Sequence, residues 1–366
     1  MFLPAGSQDQ IGHLLDRKAK VYQLFRKVAK KRAYKPIETP VVEYAETFTN
    51  KHVGMAFHTL LKWFDRDGEI EVLRPDWTTA IARALVNQDP KQLKWFYQGS
   101  VYRQDKDGIE SNQAGIEIIR SEPLFGEIES LFFAVEFLNQ TQIDEYLIEL
   151  GHTGIYEAII APLQLSHQAE NKLRQAMHDK QTDVVQRLTA SNPDVSEQLH
   201  ALIHAYGDKE VLVAFKEKYQ SHLELTAIIE HLLQLINVLN QLGINDVIVD
   251  LGRVKELPYY SGTMFRGYIK DSGQSCFSGG RYDSLYHQFD QKISAVGLAF
   301  DVDILAEHIK DETQPRRVCL LASEATHVVA ELKSQSYQDE IVDIVYQQDL
   351  TIEYDEVIDL RNEGSD

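Results

Sequence analysis

Residues 156–243 hold almost nothing but amphipathic helix, with "NKLRQAMHDK", "VSEQLHALIHAYG" and "LTAIIEHLLQLINVLNQLG" among the segments, yet strand patterns stand on both sides of them. Apolar residues here recur every three or four positions, the period of a helix with one buried face. Such a block offers no strands of its own, so the strands before and after it are expected to complete one sheet. The pattern predicts a sheet domain split by a helical insertion.

Ahead of the block, residues 8–33 carry helical periodicity and end at "YKPIETPVVEY", where Pro36 and Pro40 break the helix and a β-branched run begins a strand. Asp67-Gly68 sits between two alternating segments, a hairpin signature, and "TTAIARALV" returns to helical spacing. A second hairpin joins "LKWFYQGSVYRQ" to "NQAGIEIIRSE" through a polar turn at Asp105 to Ser111, and residues 127–140 are helical. Beyond the block come "DVIVDLG", "SGTMFRGYIK", "SCFSGGRYD" and "SAVGLAF", all strand-like. Hairpins interleaved with helices predict an α+β domain, because βαβα alternation would predict a parallel sheet. The composition shifts after residue 312, at the linker candidate "DETQPRR", and one strand, one helix, another strand and an acidic end follow. Residues 338–366 hold ten acids and one arginine, which suits an exposed edge or a partly mobile tail. The expected domains are 1–312, with the insertion at about 156–243, and a short α/β segment at 313–366.

Charge and composition narrow the function. The net charge of −19, from 37 basic and 56 acidic side chains, repels phosphate backbones, so no nucleic-acid partner is expected. The basic stretch "RKVAKKRAYK" reads as the solvated face of a helix whose Val21, Leu24, Phe25 and Val28 face inward. No window approaches the roughly 18 to 20 apolar residues of a membrane helix, and "MFLPAGSQDQ" lacks a basic region followed by an apolar one, so a cytoplasmic chain is expected. Cys276 and Cys319 lie in apolar stretches and read as buried, reduced thiols; neither a metal nor a cofactor is expected.

Two strands then draw attention. Alternation puts Tyr97, Gly99 and Val101 on one face of "FYQGSVYRQD", with Arg103 near the turn, while Gln113, Gly115 and Glu117 share a face of the partner strand. An arginine, an amide and a carboxylate around glycine suit a small zwitterion, although a solvated sheet face fits the same pattern. Tyr259 and Tyr260 in "ELPYYSGTMF" should point to opposite sides of a strand, one toward a ligand and one toward the core. Gly279-Gly280 before Arg281 allows a close backbone approach or a simple turn. P-loop, GxSxG and HExxH patterns are absent from the sequence.

Taken in order, these segments resemble the core of a class II aminoacyl-tRNA synthetase of the histidyl type. "YKPIETPVVEY" resembles the first motif of that family, "FYQGSVYRQD" with "NQAGIEI" the second, "LPYYSGTMF" the histidine-binding loop, "SGGRYDSLYHQF" the strand after it, and "SAVGLAFDVDIL" the third motif. The resemblance spans roughly residues 2–310, including "LGHTGIYEAI" at the start of the insertion. It implies an antiparallel sheet flanked by helices, with the helical insertion and a short C-terminal remnant.

The departures bear on function. Where the third motif ends in acid-arginine-leucine, this chain keeps Asp303 and places Ile304 at the arginine, and a neutral side chain cannot hold a triphosphate. The arginine of the histidine loop corresponds to Lys255 and its aspartate to Pro258, while the loop of the second motif is reduced to "DKDGIES". Only 56 residues follow position 310, where the family places an anticodon-binding domain of about a hundred. This combination resembles the synthetase-like regulatory subunits of ATP phosphoribosyltransferase. The resemblance implies a non-catalytic subunit that dimerises, joins a short catalytic phosphoribosyltransferase in a hetero-octamer, activates it, and mediates feedback inhibition by histidine in histidine biosynthesis. It also implies that Glu117 and Tyr260 read the imidazole, that Asp76, Thr78 and Gln113 take the α-amino group, and that Arg103 and Lys255 take the carboxylate, with Tyr259 beside them. The competing expectations are a truncated synthetase paralogue that activates an amino acid with ATP, and an RNA-binding scaffold.

Overall fold

We describe a computed structural model covering residues 2–86, 92–104, 108–122, 124–254, 259–310, 315–347 and 351–362. The chain divides into two compact units, one ending at Ile309 and the other starting at Lys310. In the first unit, α1 (His13–Lys31) has Asp16 in its first turn and Lys30 and Lys31 in its last, charges that suit the helix dipole. Val21, Phe25, Val28 and Ala29 are buried along one side of it. The basic residues beyond them are solvated or paired: Lys31 and Arg32 both reach Glu136, at 2.6 and 2.8 Å.

The elements that follow are β1 (Lys35–Pro36), β2 (Val42–Tyr44), α2 (Glu46–Thr49), β3 (Lys62–Phe64), β4 (Ile70–Leu73) and α3 (Trp77–Leu85). Then come β5 (Lys94–Tyr102), β6 (Glu110–Ile119), α4 (Phe125–Thr141) and β7 (Tyr146–His152). Both expected hairpins form. β3 and β4 pair antiparallel around Gly68, whose φ of 89° favours glycine, and β5 pairs antiparallel with β6 over its whole length.

The insertion consists of α5 (Thr153–Ile160), α6 (His167–His178), α7 (Thr182–Leu188), α8 (Pro193–Ile203), α9 (Lys209–Lys218) and α10 (Leu223–Gln241). Ser166, Asn192 and Asp208 cap helices in it by accepting backbone N–H bonds from Ala169, Val195 and Glu210. Between α8 and α9 a two-residue strand, β8 (Tyr206–Gly207), pairs with β9 (Val247–Asp250), so the insertion also lends the sheet an edge strand. The helical period of its neighbours conceals so short a strand. The chain then supplies β10 (Thr263–Ile269), β11 (Ser275–Arg281), β12 (Ala295–Asp301) and α11 (Val302–His308).

Strands from before and after the insertion form one nine-stranded sheet in the order β1-β5-β6-β12-β11-β10-β7-β9-β8. It is antiparallel apart from the pairs β1·β5 and β7·β9. One face carries α1, α4 and α11 over a cluster in which Phe25 lies 5.1 Å from Phe133, 5.2 Å from Phe137 and 6.1 Å from Phe300, ring centre to ring centre. Each such ring contributes about 1.5 to 3 kcal/mol on burial. The other face packs α3 and the segment Asp283–Phe289 against a second core around Trp77, Tyr97 and Tyr286.

The second unit is a three-stranded parallel sheet, β14-β13-β15, with one helix: β13 (Arg317–Leu321), α12 (His327–Ser334), β14 (Ile341–Val345) and β15 (Glu356–Asp359). Its small core holds Val318, Leu320, Ala330 and Leu360. The acidic end, read from composition as an edge or a tail, contains β15, where Ile358 and Leu360 turn inward between acids. Cys276 and Cys319 are both buried free thiols. Among the described residues no helix is long and apolar enough to cross a membrane.

Candidate functional site

Register explains the floor of the site. Tyr97, Gly115, Ala299, Ser278, Arg266 and Glu149 are consecutive cross-strand partners from β5 to β7, and Trp95, Glu117, Gly297, Gly280, Met264 and Gly151 form the next row on the same face. The middle of both rows is small or glycine, with Tyr97, Trp95 and Glu117 toward the β5–β6 end and Arg266, Glu149 and Met264 toward the other. A cavity of about 240 Å³ opens over this floor, lined by Asp76, Thr78, Arg103, Gln113, Tyr259 and Tyr260 together with Tyr97, Arg253, Arg266 and Tyr282. A larger hollow of about 830 Å³ near Tyr44, His52 and Phe57 gathers none of the motif residues that face the sheet.

Asp76 is the N-cap of α3. Its Oδ2 accepts the backbone N–H of Thr79 at 2.7 Å, and its Oδ1 accepts the Tyr259 hydroxyl at 3.4 Å. Arg103 is steadied by donating from Nε to the Pro75 carbonyl at 2.7 Å. Gln113 lies opposite Gly99 on β5. Lys255 lies outside the described residues.

Glu117 is not on the cavity wall. It lies beneath it, 1% exposed, accepting from the Thr78 hydroxyl at 2.7 Å and from the Tyr282 hydroxyl. Burial pushes its carboxyl up to about 8 despite those two donors, so near neutral pH it holds a proton. A Cβ at Gly297 would stand 1.9 Å from Glu117 Oε2; only glycine there leaves the carboxyl its place under the floor. Gly115 makes similar room for the Tyr97 ring, which a Cβ would meet at 2.3 Å. The space that glycine frees above β6 is thus taken by Tyr97, which stacks on Trp77 at 4.8 Å. Burial raises the Tyr97, Tyr259 and Tyr282 hydroxyls well above their ordinary value, so all three remain neutral donors.

Two expectations change. Tyr259 and Tyr260 precede β10 instead of belonging to a strand, so they do not alternate: both line the cavity, with ring centres 5.2 Å apart. Arg281, singled out after the Gly-Gly pair, points away from the cavity. It binds Glu127 of α4 through two hydrogen bonds of 3.0 and 2.7 Å, and His231 of α10 lies 3.3 Å from the same carboxylate. Burial alone would raise Glu127, but the bonds from His231 and Arg281 outweigh it and hold the carboxyl at about 2. This network ties the insertion to the sheet. His200 and His204, an i, i+4 pair on α8 and just past it that the expectation of no metal passes over, bring their rings to 4.9 Å; among the described residues no group of three or more His, Cys, Asp or Glu gathers around a metal-sized space.

Sequence reasoning missed Arg253 and Arg266 as cavity residues. Arg266 could have been found by period-two counting along "TMFRGY" from Met264; Arg253, two residues before Lys255, carries no such signal.

At the third motif, Asp301 caps α11 by accepting from the N–H groups of Asp303 and Ile304, both at 3.1 Å. Asp303 accepts from Asn112 on β6 and pairs with Lys18 of α1. Ile304 packs against the main core. The place where a synthetase carries its arginine is therefore filled with hydrocarbon on the helix side. In the reduced loop of the second motif, Ile109 donates its N–H to Gly6 at 3.0 Å, so the N-terminal segment covers the loop's end; residues 105–107 lie outside the described set.

Comparison with known proteins places this geometry. A family model described as histidyl-tRNA synthetase matches residues 7–305. A protein of Listeria monocytogenes serotype 4b, named ATP phosphoribosyltransferase regulatory subunit, is 34% identical over 310 residues, covering 83% of this chain and 78% of that one. The like-named protein of Clostridium acetobutylicum is 30% identical over 323 residues, covering 85% and 79%. The chain belongs to the histidyl-tRNA synthetase-like family of ATP phosphoribosyltransferase regulatory subunits. Solved structures agree in fold. A Bacillus halodurans protein described as an ATP phosphoribosyltransferase regulatory subunit/histidyl-tRNA synthetase superposes with a TM-score of 0.83 at 24% identity, covering 98% of this chain and 97% of that one. Histidyl-tRNA synthetase of Nostoc superposes with 0.77 at 17% identity, covering 95% and 86%. The class II synthetase-like α+β fold expected from the motif order is the fold of this family.

Proposed function

We propose that this chain is a non-catalytic regulatory subunit that activates a short ATP phosphoribosyltransferase, a glycosyltransferase, and makes it sensitive to histidine. It works in the cytoplasm, without a cofactor. The observation that carries this reading is the contrast at the two ends of the old active site. Ile304, half-buried against the core, puts hydrocarbon where nucleotide phosphate would need a cation, whereas Asp76, Thr78, Arg103, Gln113, Tyr259 and Tyr260 still converge on one small cavity. The names of the relatives favour the same reading.

The cavity suits an α-amino acid with a polar ring. Asp76 and Gln113 take the ammonium, Arg103 and Lys255 the carboxylate, and Tyr260 one ring nitrogen. Glu117 acts on the imidazole only through Thr78 and Tyr282, because these stand between it and the cavity. Histidine shifts the assembly only insofar as it binds one arrangement better than another. Assembly includes a dimer of this chain within a hetero-octamer. The outer face of the small sheet β2-β4-β3, with Val42, Tyr44 and Trp63 at 41, 55 and 39% exposure, supports an apolar contact there. ATP–pyrophosphate exchange tests the reading against an amino-acid-activating enzyme: no histidine-dependent exchange is expected, and measurable exchange overturns the proposal.

A further inference from the structure

The helical insertion touches the cavity wall at two places, one at each end of the segment 250–263 that carries Arg253, Tyr259 and Tyr260. Residues 255–258 of that segment lie outside the described residues. At the first end β8 sets Tyr206 opposite Asp250, and Leu251 donates its N–H to the Ala205 carbonyl at 3.0 Å. Gly252 then passes so close to the end of α8 that a Cβ there would stand 2.6 Å from the Leu202 carbonyl oxygen, and its N–H is held by Asp250 at 3.0 Å. The turn that aims Arg253 is therefore moulded on the backbone of α8.

The second end is held as firmly. The Tyr259 carbonyl accepts from the Ser284 hydroxyl at 2.6 Å, and Ser261 donates its N–H to the Arg281 carbonyl at 2.9 Å. Gly262 leans on the Arg281 stem, which a Cβ would meet at 2.9 to 3.3 Å, and its carbonyl accepts the N–H of Thr153, the first residue of α5, at 3.0 Å. Thr263 donates its hydroxyl proton to Glu127 at 3.4 Å, so its oxygen is left to accept from His231 Nε2 of α10 at 3.1 Å. Glu127, an ionised carboxylate, also only accepts, and it lies 3.3 Å from the same nitrogen. Both neighbours of Nε2 are acceptors, which places the ring hydrogen there.

We propose that the insertion positions the ligand-binding segment, α8 moulding its first end and His231 of α10 fixing its last, so that occupancy of the cavity and the placement of the insertion are linked. His231 is a positioning residue: it does not line the cavity and acts through Thr263 and Gly262. The inference rests on the histidine reading only for the identity of the ligand. A ligand that draws Arg253 and Tyr260 to itself restrains both ends of the segment, and close-packed contacts pass small shifts on to α8 and α10. The linkage is reciprocal, so a change in the insertion alters affinity at the cavity by the same factor.

Hydrogen exchange and calorimetry on the full chain test this. Without ligand, His231→Leu is expected to speed exchange in peptides containing residues 261–263, and His231→Gln, whose side-chain amide can give the same hydrogen, is expected to restore it. Unchanged exchange in His231→Leu overturns the inference whatever binds in the cavity. With histidine, the wild type is expected to exchange more slowly in α8 and α10 as well as around Tyr260, a measurement that needs no variant. His231→Leu is expected to bind histidine about 5-fold or more weakly, with recovery in His231→Gln. A merely structural role for His231 predicts a lower melting temperature with unchanged affinity. Histidine that binds His231→Leu as it binds the wild type, with exchange in the insertion unmoved, overturns the inference and leaves the histidine reading standing. A wild type that binds no histidine sinks that reading instead, and the ligand-free exchange still decides whether the insertion positions the segment.

Discussion

Glu117→Gln turns a buried acid into a neutral amide of the same shape, and its effect should depend on pH with a definite sign. In the unfolded chain the carboxyl loses its proton near 4.5, whereas under Thr78 and Tyr282 burial holds the proton until about 8. Between those values the folded state binds one proton more than the unfolded state, so the stability of the wild type falls as pH rises. The slope is about 1.4 kcal/mol per pH unit, and between pH 6 and 8 the loss comes to roughly 2 kcal/mol. Glutamine has no such proton. At pH 6 it mimics the protonated acid, with one accepting oxygen and one donating group toward which the Thr78 or Tyr282 hydroxyl turns to accept, and the two proteins should be close in stability. By pH 8 to 9 the variant should be the more stable. Urea unfolding followed by tryptophan fluorescence reads this, since Trp77 and Trp95 border the floor. Taking the difference between wild type and variant at each pH cancels every other titrating group. Parallel curves from pH 6 to 9 would refute the reasoning, because they would mean that the carboxyl ionises freely where it lies.

Tyr260→Phe should weaken histidine binding about 5- to 150-fold, from the roughly 1 to 3 kcal/mol of one lost polar partner, while assembly is retained; calorimetry and size-exclusion chromatography check the two halves. Gly297→Ala should destabilise by about 1 to 3 kcal/mol or more, because the methyl meets the Glu117 carboxyl, and the denaturation midpoint measures it. Glu127→Ala removes the more buried of the two carboxylates that hold Arg281, leaving Asp283 at 3.1 Å, and should cost about 3 kcal/mol by urea unfolding. In the wild type, the stabilisation from Glu127 is complete above pH 4.5 and is lost as pH falls toward 2, since its folded carboxyl is depressed; acid titration of the melting temperature reads that window. Phe25→Ala removes the ring at the centre of the aromatic cluster and should cost about 3 to 5 kcal/mol.

Much of the fold was legible because its signals are local. The period of two along "KWFYQGSVY" and "ESNQAGIEII", the stop at Pro36 and Pro40, and the helical period from Leu173 to Leu239 each report the face that a residue turns inward. Partnership across the sheet was less accessible. Nothing in the neighbourhood of Glu117 tells that Thr78, 39 residues away, and Tyr282, 165 away, will close over it. The same holds for Arg281: in "SGGRYD" it looks like a ligand contact, and only the packing of α4 turns it to Glu127, the carboxylate that His231 of α10 also meets. Tyr259 and Tyr260 failed the alternation rule because β10 begins later, at Thr263. β8 and β15 were missed for a different reason, since two residues in a helical block and four in an acidic one are too few to establish a period.

The central claim, that this chain regulates a catalytic partner and does not activate an amino acid, is tested most directly by reconstitution. Short-form ATP phosphoribosyltransferase is assayed alone, with this chain, and with this chain plus histidine. The account predicts a complex that co-purifies, activity that rises when the chain is added, and inhibition by histidine that Tyr260→Phe relieves without dissociating the complex. Unchanged catalytic activity in the presence of a stoichiometric excess of the chain would contradict it.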